Sequence, residues 1–281
     1  MTDQLRQRLI GTTGGLSDPS WEIVGSDWSN LSAHTTEGTS DSGAADMALL
    51  QSGGYDPVIQ SDRIRLKDYA STNNSVSSVY LREPYTIDMT KKFCYYGAWV
   101  LTYSTSINFQ TQSFLQIASQ SKSYNATSGE FWPSGNAYGN MMKGWMTVIS
   151  QGSQFYSTTI ALNRPAIAGT DYNYRYLTSL QSNTNDPSTY GIFYVDYDPS
   201  TTTWETRRNQ NVTKANILAN GLYTYKPTGA AEKTYTWDYT VNADASMRSD
   251  TIFYPGFGAG NGSANYNRGG GVLIGMGVKY L

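Results

Sequence analysis

The chain ends in Gly269-Gly270-Gly271-Val272-Leu273-Ile274-Gly275-Met276-Gly277-Val278-Lys279-Tyr280-Leu281, and the reading of this stretch decides the fold. Val272, Ile274, Met276, Val278 and Tyr280 recur at every second position, with Gly275, Gly277 and Lys279 between them. A period of two marks a half-buried β-strand, in which successive side chains point to opposite faces. An apolar strand in this place is expected to be pinned within a sheet or a subunit contact, because a bare strand edge invites aggregation.

The same chemistry recurs upstream. Runs of Tyr, Thr, Val, Ile, Phe and Trp predict strands over 63–67, 77–82, 85–89, 93–109, 113–119, 144–150 and 155–162. Further strands are predicted over 172–180, 190–197, 203–208, 221–225, 233–241 and 251–254. Asn185-Asp186-Pro187, Asp198-Pro199-Ser200 and Asn220-Gly221 supply turns between them. Only residues 212–219 read as a short helix within this region. About a dozen short strands with almost no helix define an all-β protein, an antiparallel β-sandwich or jelly-roll-like domain.

Residues 1–57 differ from this pattern. Leu5, Leu9 and Ile10 predict one short helix over 1–10, and 44–51 reads as one or two helical turns. Between them lies a Gly/Ser/Thr-rich stretch with Trp21, Ile23 and Trp28 as isolated anchors. This predicts an extended arm with a short helix, serving attachment or subunit contact, ahead of a β-sandwich domain over 58–281.

Composition narrows the function. Charged residues are 15% of the 281, while Gly numbers 27 and Tyr 23. The net charge of −2 excludes a strongly basic nucleic-acid binder held by counterion release. One cysteine, Cys94, and one histidine, His34, leave neither a disulfide nor a several-ligand zinc framework. Cys94 lies in Phe93-Cys94-Tyr95-Tyr96 and reads as a buried, inert thiol. No Gly-x-Ser-x-Gly elbow accompanies His34, so nucleophilic catalysis is not expected. The residues after Met1–Ile10 are not an apolar export signal, and no run of about 18 apolar residues predicts a membrane-spanning helix.

Three constellations invite a chemical reading. Asp196 and Asp198 share one side of a strand end, as weak Ca²⁺ candidates or a carboxylate pair, although a solvated turn also explains them. Gly256–Gly262 and Gly269–Gly271 lack the strand–helix context of phosphate loops and read as a glycine-rich surface loop. Trp132 and Tyr138, and the period-two set Tyr172, Tyr174 and Tyr176, suit either a sugar face or a packed interface. They are the glycan-binding candidates. No catalytic residue and no cofactor are expected.

A short N-terminal helix, a Gly/Ser/Thr arm with scattered Trp and a Tyr/Thr/Asn-rich β domain closing on Gly269–Ile274 resemble bacteriophage virion surface proteins of decoration, fibre or receptor-binding type. That resemblance implies a non-enzymatic structural or host-attachment role in a virion assembled in the host cytoplasm. It also implies contact with other virion proteins, a homo-oligomer with a trimer favoured, and a host-surface glycan as a candidate partner. Three alternatives stand beside it: a carbohydrate-binding module or β-sandwich glycan hydrolase, a jelly-roll capsid subunit, and an outer-membrane barrel.

Overall fold

The computed structural model describes residues 20–25, 47–52, 58–59, 62–68, 76–81, 85–103, 111–119, 141–150, 154–158, 181–182, 186–236, 251–261 and 269–281. Sixteen strands lie within them: β1 Trp21–Val24, β2 Met47–Ser52, β3 Val58–Ile59, β4 Ile64–Asp68, β5 Val76–Leu81, β6 Ile87–Asp88, β7 Phe93–Tyr103 and β8 Thr111–Ser119. They continue with β9 Met141–Ser150, β10 Gln154–Thr158, β11 Gln181–Ser182, β12 Thr189–Asp198, β13 Thr203–Thr213, β14 Lys233–Thr236, β15 Ile252–Asn261 and β16 Gly269–Tyr280. One helix, α1 Lys214–Asn220, and a 3-10 turn, Tyr223–Tyr225, complete the described elements.

The strands form two sheets. The first runs β14-β13-β12-β7-β16-β4-β3, with β1 on β16 and β11 on β7; the second runs β10-β9-β8-β15-β5-β2, with β6 on β15. All described pairs are antiparallel except β11 with β7. The expected all-β antiparallel sandwich is present. The sheets meet through Tyr95, whose hydroxyl donates to the Gly256 carbonyl at 2.7 Å, and through Trp99, stacked on Phe193 at 3.9 Å and tilted against Phe257 at 5.8 Å.

The central strands of the first sheet, β12, β7 and β16, are buried on both faces, which explains their nearly continuous apolar sequences. Cys94, Tyr96, Ala98, Tyr190, Ile192, Tyr194, Val272 and Ile274 form a second core on the sheet's far side, closed by Ile217 of α1 and by Leu222. The helix forms where Thr213 caps its start, the hydroxyl accepting from the Asn216 N–H at 3.2 Å, and stops at Gly221, which takes a φ of 77°.

Several expectations change in detail. β16 is not one uniform alternation: a bulge between Leu273 and Gly275 shifts its phase. Val272 and Ile274 therefore join the far core, whereas Met276 and Val278 pair with Gly97 and Tyr95 on the alternate positions. The supposed glycine loop at 256–261 is part of β15, paired on both sides, and Gly269–Gly271 opens β16. Glycine lets sheet backbones approach closely there, and Pro255 falls between the β6 and β5 pairings, where that side of β15 needs no donor. Residues 221–225 form a turn instead of a strand, and 47–52 pair with β5 instead of coiling into a helix. The predicted helix at 1–10 lies outside the described residues. From the first 57 residues, β1 enters the first sheet and β2 the second.

Candidate functional site

A cleft of about 530 Å³ lies between β13 and the segment that follows α1. One wall is Arg208, Asn209 and Gln210; the other is Thr224, Tyr225, Lys226, Pro227 and Thr228, with Glu232 at one end. Three consecutive residues of a regular strand cannot all face one side. Arg208 and Asn209 keep the regular register, opposite Phe193 and Ile192, and β13 then carries an extra residue within 210–211, since Tyr190 pairs with Val212. Asn211 absorbs the bulge with a left-handed φ of 61°, a conformation asparagine tolerates better than most residues.

The opposite wall is irregular backbone held in place by side chains. Asn209 Nδ2 donates to the Tyr225 carbonyl at 3.0 Å, and Arg207 Nε to the Gly229 carbonyl at 3.1 Å. Arg208 Nε meets Glu232 Oε1 at 2.8 Å, while the Glu232 N–H returns to the Thr206 carbonyl at 2.8 Å. The Tyr225 phenol is anchored to α1: it accepts from Asn220 Nδ2 at 2.8 Å and donates to the Asn216 carbonyl at 3.3 Å. Tyr225 thus lines the cleft beside amides, hydroxyls and paired charges, half-buried against the far core.

Asp196 sits on β12, one strand inward, between Cys94 of β7 and Glu205 of β13. Its Oδ2 accepts from Arg207 Nη1 at 2.6 Å and its Oδ1 from Lys226 Nζ at 2.5 Å. Burial alone would lower the Lys226 pKa, but the Asp196 carboxylate it bonds outweighs this and holds the ammonium above the ordinary lysine value. Asp198 turns elsewhere. Its Oδ1 caps the turn at Ser200 and its Oδ2 takes Lys92 Nζ at 2.9 Å. The sequence-level carboxylate pair is therefore not brought together, and each acid already faces cations.

Trp132, Tyr138, Tyr172, Tyr174 and Tyr176 lie outside the described residues. The sequence reading missed the cleft residues, although Asn211 beside Asn209 in a strand run was a signal of a bulge. Among the described residues, no group of three or more His, Cys, Asp or Glu side chains converges as a metal site. No helix among them is long and apolar enough to cross a membrane.

Neither a protein-family model nor a curated protein sequence matches the chain. Solved structures do. The chain is similar to lectin II from Ulex europaeus at 9% identity and a TM-score of 0.47, over 84% of this chain and 93% of that one. It is also similar to a lectin from Bauhinia forficata in complex with GalNAc, at 8% identity and a TM-score of 0.48, over 93% and 98% of the two chains. A legume lectin-like domain from Entamoeba histolytica matches at 8% identity and a TM-score of 0.47, over 84% and 90%. These values concern the arrangement of strands.

The matches correct the resemblance drawn to bacteriophage virion surface proteins. The virion location, the virion partners and the host-attachment and capsid-decoration roles fall with it. The physical reason is that a composition poor in charge and rich in Tyr reports a β scaffold, with Tyr95, Tyr96, Tyr190, Tyr194 and Tyr197 buried in it, and does not single out a virus particle.

Proposed function

We propose that the protein is a carbohydrate-binding module that acts by contact, with the β13 cleft as its glycan site. One observation carries this reading: beside the bulge of β13, Asn209 and Gln210 line a cleft whose facing wall is the anchored segment Thr224–Thr228, with Tyr225 in it. A sugar presents adjacent hydroxyls, each both donor and acceptor, beside patches of C–H. Planar amide and guanidinium groups meet the former, and an aromatic ring the latter. Tyr supplies such contact area at little conformational cost.

The electrostatics support an uncharged ligand. Arg208 is engaged by Glu232, and Lys226 by Asp196, so each cation of the cleft has its carboxylate in place. A phosphate or nucleic-acid site would instead present an excess of positive charge. Hydrolysis of a glycosidic bond takes two carboxyl groups roughly 5 to 9.5 Å apart across the scissile bond. Among the residues lining the cleft, Glu232 alone has one. Binding without turnover is the function this lining supports.

A glycan microarray probed with the full chain tests the proposal. Retention of a defined set of glycans, abolished by Tyr225→Ala with the thermal unfolding transition intact, is the expected result. Trp132→Ala, assayed in parallel, asks whether the aromatic residues singled out in the sequence form part of the same surface. A folded chain that binds no glycan would overturn the reading.

A further inference from the structure

The cleft owes its shape to a residue that does not line it. We infer that Asp196 is the positioning residue of the site, clamping both walls from beneath and so setting the width that selects the ligand. This inference rests on the cleft being the glycan site, and it assigns to Asp196 a role different from metal binding.

Asp196 is 8% exposed, on a strand that pairs with β7 on one side and β13 on the other. A carboxylate so placed needs its charge met from within the protein. Its two oxygens divide the task. One holds Arg207 of β13, whose Nε reaches on to the Gly229 carbonyl; the other holds Lys226 from the facing wall. Arg207 is steadied further by Glu205, its Nη2 meeting Oε2 at 2.8 Å. Both walls are therefore referred to a single point in the sheet interior.

The facing wall is held by individual ties and not by a strand ladder. Beyond the 3-10 turn, residues 226–232 have no regular secondary structure, and β14 pairs with β13 only from Thr203 to Thr206. Next to Arg208–Gln210 the wall depends on side-chain ties, of which the Lys226–Asp196 bond reaches past β13 to β12. Lys226 also lies 5.5 Å over the Tyr223 ring, and Lys279 lies 4.2 Å from it on another approach. Those ring contacts orient the lysine stem, and Asp196 defines where it ends. Support of this kind, one layer removed from the ligand, commonly decides whether a site is held tightly enough to discriminate.

The test compares Asp196→Asn, Lys226→Met and the double variant with the wild-type chain on the glycans retained by the wild type. Asp196→Asn is expected to lose roughly tenfold or more in affinity and to blur the preference between the best and second-best glycans. Because either single variant already breaks the Asp196–Lys226 tie, the double variant should lose less than the sum of the two single losses, a non-additivity that general destabilisation does not produce. Lys226→Met keeps the Asp196–Arg207 pair, so the comparison survives if Asp196→Asn does not fold: Lys226→Met must then reproduce the loss of selectivity. Wild-type selectivity in Lys226→Met, or additive losses in the double variant, would overturn the inference. Loss of binding in Tyr225→Ala but none in Asp196→Asn would sink the inference and leave the cleft assignment standing. Unchanged binding in Tyr225→Ala would remove both.

Discussion

The carboxylate of Glu22 accepts the backbone N–H of Leu222, 200 residues along the chain, at 3.0 Å, and the N–H of Tyr223 at 3.2 Å. A buried acid on β1 thereby caps the turn that begins one wall of the cleft. The first N–H groups of such a turn have no partner of their own, and a negative charge is favourable there. β1 is therefore tied to the site both through the sheet, by pairing with β16, and through this cap.

Replacing Glu22 with Ala strands two donors, the buried Leu222 N–H and the part-buried Tyr223 N–H. The variant is expected to lose about 2–4 kcal/mol of unfolding free energy, the cost of charge-assisted hydrogen bonds left unmade. Urea denaturation measures it, with Glu22→Gln losing less because it retains an acceptor. Equal stability of Glu22→Ala and wild type would show that the cap is not needed.

Gly277 lies where β1 passes close to β16. A Cβ there would sit 2.7 Å from the Tyr96 ring and 2.8 Å from the Trp21 carbonyl. Gly277→Ala should destabilise the chain by about 1–3 kcal/mol or more through overpacking. Gly229 is the control, since a Cβ at that residue would meet nothing within 4 Å. Gly229→Ala should stay within about 0.5 kcal/mol of wild type. Thermal unfolding of the two variants side by side decides the point.

Asp198 contributes an acid-sensitive tie. Hydrogen bonds from the Ser200 hydroxyl, with Lys92 beside it, hold its pKa at about 2, below the ordinary carboxylate value of about 3.9. A depressed native pKa stabilises fully above the unfolded value and loses that contribution as pH falls through the native one. The wild type should therefore weaken from about pH 4 toward pH 2, and Asp198→Asn should weaken less over that window. Parallel acid-titration curves for the two proteins would contradict the assignment.

Burial raises the Cys94 thiol well above its usual pKa, and the neighbouring Asp196 carboxylate pushes in the same direction. Since the thiolate is the reactive form, native protein should resist alkylation at neutral pH and release one thiol on unfolding. Labelling by iodoacetamide before and after denaturation measures this, and rapid labelling of the folded chain would disprove it.

Much of the fold was legible because period-two apolar runs and Asn/Asp/Gly/Pro turns report local geometry directly. Tyr190–Tyr197 and Thr203–Arg208 fall within β12 and β13, and the helix predicted over 212–219 is α1, ended by Asn220-Gly221 as its residue types imply. What escaped depends on long-range packing. The glycines of β15 resemble a loop in isolation but are strand residues because β5 and β8 flank them. Along the sequence Ile274 continues an alternation that the bulge beside it interrupts in the sheet. The cleft was illegible for the same reason: Arg208–Gln210 and Thr224–Thr228 meet only once β13, α1 and the turn have closed on the sheet. Asp196 was noticed as a candidate ligand, yet its role depends on Lys226, 30 residues away.

The most direct measurement is a crystal structure of the chain with the glycan it binds best. Ligand density between Tyr225 and the Arg208–Gln210 wall, with ring faces in contact and the Arg208–Glu232 pair intact, is the predicted result. A glycan seated elsewhere on the sandwich, with this cleft empty, would contradict the account.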